Sequence, residues 1–304
     1  AKIINTTINN FFQIEISHHF QDFFIMTKFY HESILKIVGF CPVDFDKNQK
    51  PVLVTEFAND TIFDLLQREK SKNDPNTNWN PTKKLINIYG IAYAMNLIHK
   101  KNIVHQNLTS KNIFLDNSLY PKISNFSQSK IIKTTERKND KSKDIYDFSK
   151  IVYEIMTNEF FDKNSLFQSK EKIPKKYFEL IEKCCSEDPK KRPSFEKIVK
   201  QLKNKSDFIV DGVDQQEFDR YVNLMKHSKL QNDVNQLNHL ISSKIQNIAK
   251  KTYLDIKKYK IVEIIAKGIY SDIYKIQEKE TGKFFSAKIY NEKSINNPEK
   301  LEQQ

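Results

Sequence analysis

Cysteine is scarce in this chain, three in 304 residues, with Cys184 and Cys185 adjacent. That number and spacing exclude a disulfide framework and fit a reducing compartment. No apolar run approaches the ~18 residues that a membrane-spanning helix requires, and no signal-peptide pattern opens the chain. A cytoplasmic location without a membrane span is the expectation. Patterned basicity is missing as well. The formal charge is +12, but the excess is mostly Lys scattered among Asn and Ile, with no basic stripe interleaved with aromatics. Charge without patterning argues for a solvated surface and against a specific nucleic-acid partner.

What is present can build a sizeable core: 38% of residues are hydrophobic and 12% aromatic. One large domain or two are expected at this length. The chain is organised around residues 103–127, IVHQNLTSKNIFLDNSLYPKISNFS. Three short extended runs, at 103–104, 113–115 and 121–124, alternate with polar loops that carry His105, Asn107, Asn112 and Asn125. Loops held by short strands are where chemistry-bearing groups tend to sit.

The pattern resembles the catalytic loop H-R-D-L-x-x-x-N and the metal-binding D-F-G of eukaryotic protein kinases. Gln106 replaces the Arg, Thr109 the lysine that some kinases place in the loop, and Asn107 and Asn125 the two acids. Other phrases follow in the family's order. Residues 31–40, HESILKIVGF, resemble the phrase joining the regulatory helix to the fourth small-lobe strand, after an amphipathic helix expected over 20–30. Spacing within the family then puts Asp22 at the regulatory-helix glutamate. VLVTEFA resembles the fifth strand and hinge, with Thr55 as gatekeeper and Glu56, Phe57 and Ala58 as hinge backbone for an adenine. Asn80-Pro81 starts a central helix, Asn capping and Pro at the first helical position. On it Leu85, Ile88, Ala92 and Met95 share one face, and Gly90 permits a close approach.

Asp144-Ile145-Tyr146-Asp147-Phe148 resembles the start of the buried helix beneath a kinase active site, with Ile145, Phe148, Val152 and Ile155 as its apolar stripe. Only residues 128–143 separate it from Ser127. That leaves no room for an activation segment, a peptide-docking loop or an A-P-E phrase. Residues 180–195, ending Arg192-Pro193-Ser194-Phe195, resemble the close of the large lobe in the tyrosine-kinase-like group. Arg192 lacks its A-P-E glutamate and is expected to be solvated or paired elsewhere. In the family His105 and Asp144 brace the catalytic loop from below. The histidines outside this frame, such as His18-His19, show no ligand spacing and are expected to face solvent or pack.

Residues 206–255 are rich in helix formers, with one apolar seam from Leu230 to Ile248. After them come three expected strands, within 259–265, 272–276 and up to 289. These resemble the first strands of a kinase small lobe, with the glycine loop reduced to Ala266, Gly268 and Ser271, and Lys288 at the phosphate-pairing lysine. Ala1-Lys2-Ile3-Ile4-Asn5 matches Ala287-Lys288-Ile289-Tyr290-Asn291, and Ile8-Asn9-Asn10 matches Ile295-Asn296-Asn297. Similarity at a nearly fixed offset is the signature of a repeat. The expectation is a window on a tandem array, opening at strand three of one copy, with Lys2 its phosphate lysine and its glycine loop upstream; the alternative is that strands 259–290 fold back onto the incomplete small lobe of residues 1–57, giving a permuted small lobe.

The resemblance implies an α+β, protein-kinase-like two-lobe fold, with a small mostly-β lobe and a large mostly-α lobe, the first copy lacking its first strands. The expected divisions are 1–60, the remainder of a small lobe; 61–205, the large lobe; 206–255, a helical linker; and 256–304, the start of a second small lobe. It also implies ATP as cofactor, with Mg2+ weakened because Asn112 alone survives as a metal ligand. Asn107 cannot accept a proton, and general-base help is typically worth ~10²- to 10⁴-fold. A catalytically impaired pseudokinase with protein partners is expected, joined to adjoining copies. The alternative is an active Ser/Thr kinase whose working site lies in the second copy.

Overall fold

The computed structural model describes residues 25–27, 29, 31–58, 60–71, 78–132, 139–163, 166, 168–203, 208–227, 253–268 and 271–291. Lys2, Asp22, His18-His19, most of the expected helix over 20–30 and the seam from Leu230 to Ile248 lie outside the described residues. The chain forms two compact units, a strand-rich one containing residues 35–58 and 253–291, and a helix-rich one containing 31–34 and 60–227.

The strand-rich unit is one antiparallel sheet. Strands β1 (Ile37–Cys41) and β2 (Val52–Glu56) are joined by a turn in which the Asp44 carboxylate accepts from the Asp46 and Asn48 amides. After β3 to β7 of the other unit come β8 (Tyr259–Lys267), β9 (Ser271–Glu278) and β10 (Phe284–Tyr290). The spatial order is β1-β2-β10-β9-β8. The three late strands, expected to open a second copy, therefore enter the same sheet as β1 and β2. The β10–β2 ladder sets Phe285 against Glu56, Ser286 against Thr55 and Lys288 against Leu53. Strand alternation then sorts the side chains. Cys41, Val52, Val54, Ile256, Ile276, Phe285 and Ala287 build a core on one face, while Phe40, Leu53 and Tyr290 cluster on the other.

The helix-rich unit runs β3 (Asp60–Thr61), α1 (Ile62–Ser71), α2 (Pro81–Lys100), β4 (Ile103–Val104), β5 (Ile113–Leu115), β6 (Pro121–Ile123), β7 (Lys130–Ile131), α3 (Asn139–Thr157), α4 (Lys175–Cys184), α5 (Phe195–Lys203) and α6 (Gln215–His227). Asn80 caps α2 by accepting from the Lys83 amide at 3.0 Å. The face expected of α2 is buried, and the structure adds burial on its other sides. Ile86, Tyr89, Ile91, Ala94 and Ile98 are buried along with Leu85, Ile88, Ala92 and Met95, because α3, α5, α6 and β6 surround the helix. A helix apolar all round is a central one. The stripe of α3 is buried at Ile145, Phe148, Val152 and Ile155. Phe195, Ile198 and Leu202 bury α5, and no helix among the described residues is long and apolar enough to cross a membrane.

Candidate functional site

The central stretch folds as its short runs require. Ile103 and Val104 pair with Ile131 and Lys130, and β5 pairs with β6, Ile113 against Ile123. The loop between β4 and β5 is left to hydrogen-bond through side chains. Asp144, fully buried near the start of α3, supplies the anchor. Its Oδ2 accepts from the His105 amide and from His99 Nε2, and its Oδ1 from the Gln106 amide, all at 2.8 Å. Gln106 has φ 65°, a left-handed conformation costly for a side-chain-bearing residue. The Asp144 oxygen that takes its N–H helps hold it there. Burial by itself would raise the Asp144 pKa. The hydrogen bond from His99, with the charge interactions of His99 and His105, outweighs it and holds the carboxyl below its ordinary value.

His105 is equally buried. Its Nδ1 accepts from the Asn107 amide at 3.3 Å, and its Nε2 donates to the Ser124 carbonyl at 3.0 Å, a network that assigns the Nε2-H tautomer. Its ring lies 4.8 Å from that of Phe126. His105 thus joins the loop holding Asn107 to the turn holding Asn125. His99 is the residue that sequence reasoning missed. It was expected to pack or face solvent, and it does lie edge-on to Phe195 at 5.0 Å, but it also donates to Asp144. Its position in the last turn of α2, six residues before His105, is the signal that could have found it.

Three asparagines meet in front of this brace. Asn112 donates through Nδ2 to the Asn107 carbonyl at 2.8 Å, and its Oδ1 accepts from Asn125 Nδ2 at 3.1 Å. Asn125 Oδ1 in turn accepts from the Ser127 hydroxyl at 2.8 Å. Asn125 has φ 61°, which asparagine visits more readily than most residues. The hydrogen bonds run in one direction from Ser127 to Asn107, using an oxygen of each side-chain amide along the way. An amide cannot accept a hydroxyl proton, and it offers a metal only neutral oxygens.

Arg192 is paired elsewhere than with an acid. Its Nε donates to the Ser186 carbonyl and an Nη to the Ser142 carbonyl, both at 2.9 Å, and its guanidinium lies 4.9 Å from the Tyr146 ring centre. It ties the segment before α5 to the first turns of α3.

Apart from Lys2, which lies outside the described residues, the nucleotide-binding candidates lie in the strand-rich unit. Thr55 and Glu56 end β2, with the Glu56 amide donating to the Lys36 carbonyl and the Lys36 amide to Glu56 Oε1. Phe57 packs 6.3 Å from Phe284, Lys275 Nζ sits 5.0 Å from the Phe57 ring, and Ala58 is buried. Gly268 follows β8, its amide donating to the Ser271 carbonyl at 3.1 Å. A Cβ there would stand 2.8 Å from that same oxygen, so only glycine fits the turn. Lys288 shares a sheet face with Ser286 and Thr55, because each stands in register with a partner on that face.

Strands leading into a helical body, with a loop of this frame braced by His105 and Asp144, define a kinase-like domain. A model described as protein tyrosine and serine/threonine kinase matches residues 3–165, just over half of the chain, and the chain belongs to that family. It is 24% identical over 217 residues to the serine/threonine-protein kinase STY17 of Arabidopsis thaliana, covering 60% of this chain and 36% of that protein. To the dual specificity protein kinase pyk3 of Dictyostelium discoideum it is 28% identical over 218 residues, 60% of this chain and 15% of that protein. Dual specificity protein kinase shkE of the same organism is 24% identical over 313 residues, 87% of this chain and 42% of that protein. The chain spans less than half the length of each of these relatives.

Proposed function

We propose that this chain is a pseudokinase module of the tyrosine-kinase-like group, a regulatory or scaffolding element of signalling that transfers no phosphate through Asn107. The observation that carries the reading is the chain of hydrogen bonds from Ser127 through Asn125 and Asn112 to Asn107. Phosphoryl transfer relies on metal ions that neutralise developing charge and on a residue that accepts or orients the nucleophile's proton. At 107, 112 and 125 there is no carboxylate, and the oxygens of Asn112 and Asn125 already accept hydrogen bonds. Mg2+ demands rigid octahedral oxygen ligation and is usually anchored by carboxylates, so this donor set does not fit it. His105 and Asp144 keep their bracing role, which needs no chemistry.

Nucleotide would be held in the strand-rich unit by the backbone at Glu56 to Ala58 beside Thr55, by the Gly268 turn and by Lys288. In this reading the five-stranded sheet is the small lobe, with strands one to three supplied from 259–290, and the helix-rich unit is the large lobe. Protein partners belong to the same reading, and scarce cysteine fits its cytoplasmic setting.

The test is a thermal-shift titration of the full chain with ATP, with and without Mg2+, beside a phosphorylation assay on generic acceptors. ATP is expected to shift the melting temperature equally in both conditions, with no transfer. A shift that requires Mg2+, or transfer abolished by Asn107→Ala, would overturn the reading.

A further inference from the structure

The five-stranded sheet closes one of its edges and leaves the other bare. Beside β1, the Leu254 amide donates to the Phe40 carbonyl at 2.9 Å, and Tyr253 bridges Phe40. At the opposite edge lies β8, and among the described residues no strand pairs with its outer side. Its sequence is nevertheless that of an interior strand. The near-continuous apolar run Ile261-Val262-Glu263-Ile264-Ile265-Ala266 is the pattern of a strand covered on both faces, while Ile261, Val262, Ile264 and Ile265 are 43–46% exposed. The ladder to β9 sets Ile261 opposite Ile276 and Ile264 opposite Tyr274, and both of those residues belong to the core on one face of the sheet. A register shift at Val262 brings Ile261 and Ile264, three apart, onto that same face. The core therefore runs outward to β8 and ends in solvent. Edges are ordinarily blunted by short length, proline or repelling charge. β8 is nine residues long, has no proline, and carries charges of both signs.

We propose that β8 pairs with β8 of a second copy of this chain, antiparallel about a two-fold axis between Val262 and Glu263, joining two five-stranded sheets into one. A second copy is the occupant because β8 complements itself. In this register Ile261 stands opposite Ile264 of the second copy and Ile264 opposite its Ile261, so four isoleucines join the two cores. No like charges stand directly opposite over residues 260–265. Lys260 and Glu263 share the other face of the sheet, opposite Gln277 and Lys275. Lys260 therefore lies diagonal to Glu263 of the second copy, within reach of a long side chain. Glu263 is 59% exposed and bonds Lys275 at 3.1 Å, which leaves room for the second cation. Because residues 253–254 already cover the β1 edge, the pairing is isologous and stops at two chains. One ladder buries less than the ~800 Å² per partner of a standard interface, so the dimer is weak and depends on concentration.

The test is sedimentation equilibrium of the full chain across a dilution series from about 100 µM to about 1 µM. The mass is expected to rise toward that of two chains at the upper end. Ile264→Lys puts a charge into the joined core, at a position exposed enough in one chain to carry it, and is expected to weaken the dimer about tenfold. A charge exchange separates this register from a loose apolar contact and does not depend on the folding of Ile264→Lys. Lys260→Glu alone sets two acids at each diagonal, and Glu263→Lys alone sets two bases, so each is expected to weaken the dimer about fivefold. Mixed in equal amounts, the two variants restore opposite charges at both diagonals, and the mixture is expected to recover the original affinity. One-chain mass at every concentration would overturn the proposal. So would a dimer undiminished in a folded Ile264→Lys chain, or a charge-exchanged mixture no heavier than its separate components.

Discussion

In the proposed reading, Asn107 and Asn125 stand where the resembled kinase loop carries two acids, each amide having nearly the shape of the acid. The shape preserves the frame, and the chemistry changes because nitrogen donates where oxygen accepted. Asn125→Asp removes the donor that occupies Asn112 Oδ1 and adds a negative charge. It should therefore create a Mg2+-dependent gain in ATP affinity of about tenfold, some 1.4 kcal/mol, measurable by the thermal-shift titration. Asp144 behaves differently because it is structural. Asp144→Ala would leave the buried His105 and Gln106 amides without an acceptor, and should cost roughly 3 to 5 kcal/mol by urea denaturation.

Two buried groups, Asp144 and His31, each withdraw stability as the pH falls. The pKa of Asp144 is below its ordinary 3.8 in the folded chain. Its stabilising contribution is therefore complete above that value and is lost as pH falls toward the lower folded one. His31, stacked 5.5 Å from Tyr93, is brought from 6.5 down to about 4, chiefly by burial; the Met225 backbone opposes this and Lys122 adds to it. Between those values the unfolded chain binds a proton that the folded chain refuses. Stability should fall by up to ~3 kcal/mol from pH 6.5 to pH 4, and His31→Phe should flatten that limb of the stability curve.

At the scale of elements, α6 shows how one glycine decides a packing. The α6 helix lies on α2 through Phe218, Tyr221 and Met225, all buried. Glu217 accepts from Lys83 Nζ and from the Tyr120 hydroxyl, and Tyr221 bonds Ser33 at 2.8 Å. A Cβ on Gly90 would meet the Tyr221 oxygen at 2.2 Å and Pro121 Cγ at 2.8 Å. In a free helix Ala would gain about 1 kcal/mol over Gly. Here overpacking wins, and Gly90→Ala should destabilise the chain by about 1 to 3 kcal/mol in urea denaturation. Adding Tyr221→Phe, which removes the nearest atom, should recover part of that loss.

On the scale of the whole molecule, much was legible in order of appearance along the chain. The strand-and-loop frame of 103–127, the start of α2 at Asn80-Pro81 and the stripe of α3 follow from local rules: strand alternation, capping and helical periodicity. Gly90 was legible as a close approach, though not which residue would approach. The full burial of α2, the hold of His99 on Asp144 and the carbonyl partners of Arg192 were not legible, because each depends on elements distant in sequence. The β10–β2 ladder was legible only as the alternative of a folded-back small lobe, because its two strands are more than two hundred residues apart. Hydrogen exchange should show the amides of β10 protected to the same degree as those of β2, within about tenfold, if the sheet is one cooperative unit.

The sequence by itself determined the family frame and that amides stand at 107 and 125, since residue identity alone says that Asn107 and Asn125 can neither take a proton nor bring negative charge to a metal. It also determined that a lysine-bearing segment occurs twice. Tertiary structure decided that the Asn125 amide donates to Asn112, and Asn112 to the Asn107 main-chain carbonyl, beside a brace of Asp144, His99 and His105. It also decided which lysine stands opposite Leu53. A side chain's chemistry is local, whereas its hydrogen-bond partner and the strand beside it are chosen by packing between segments that the chain order leaves far apart.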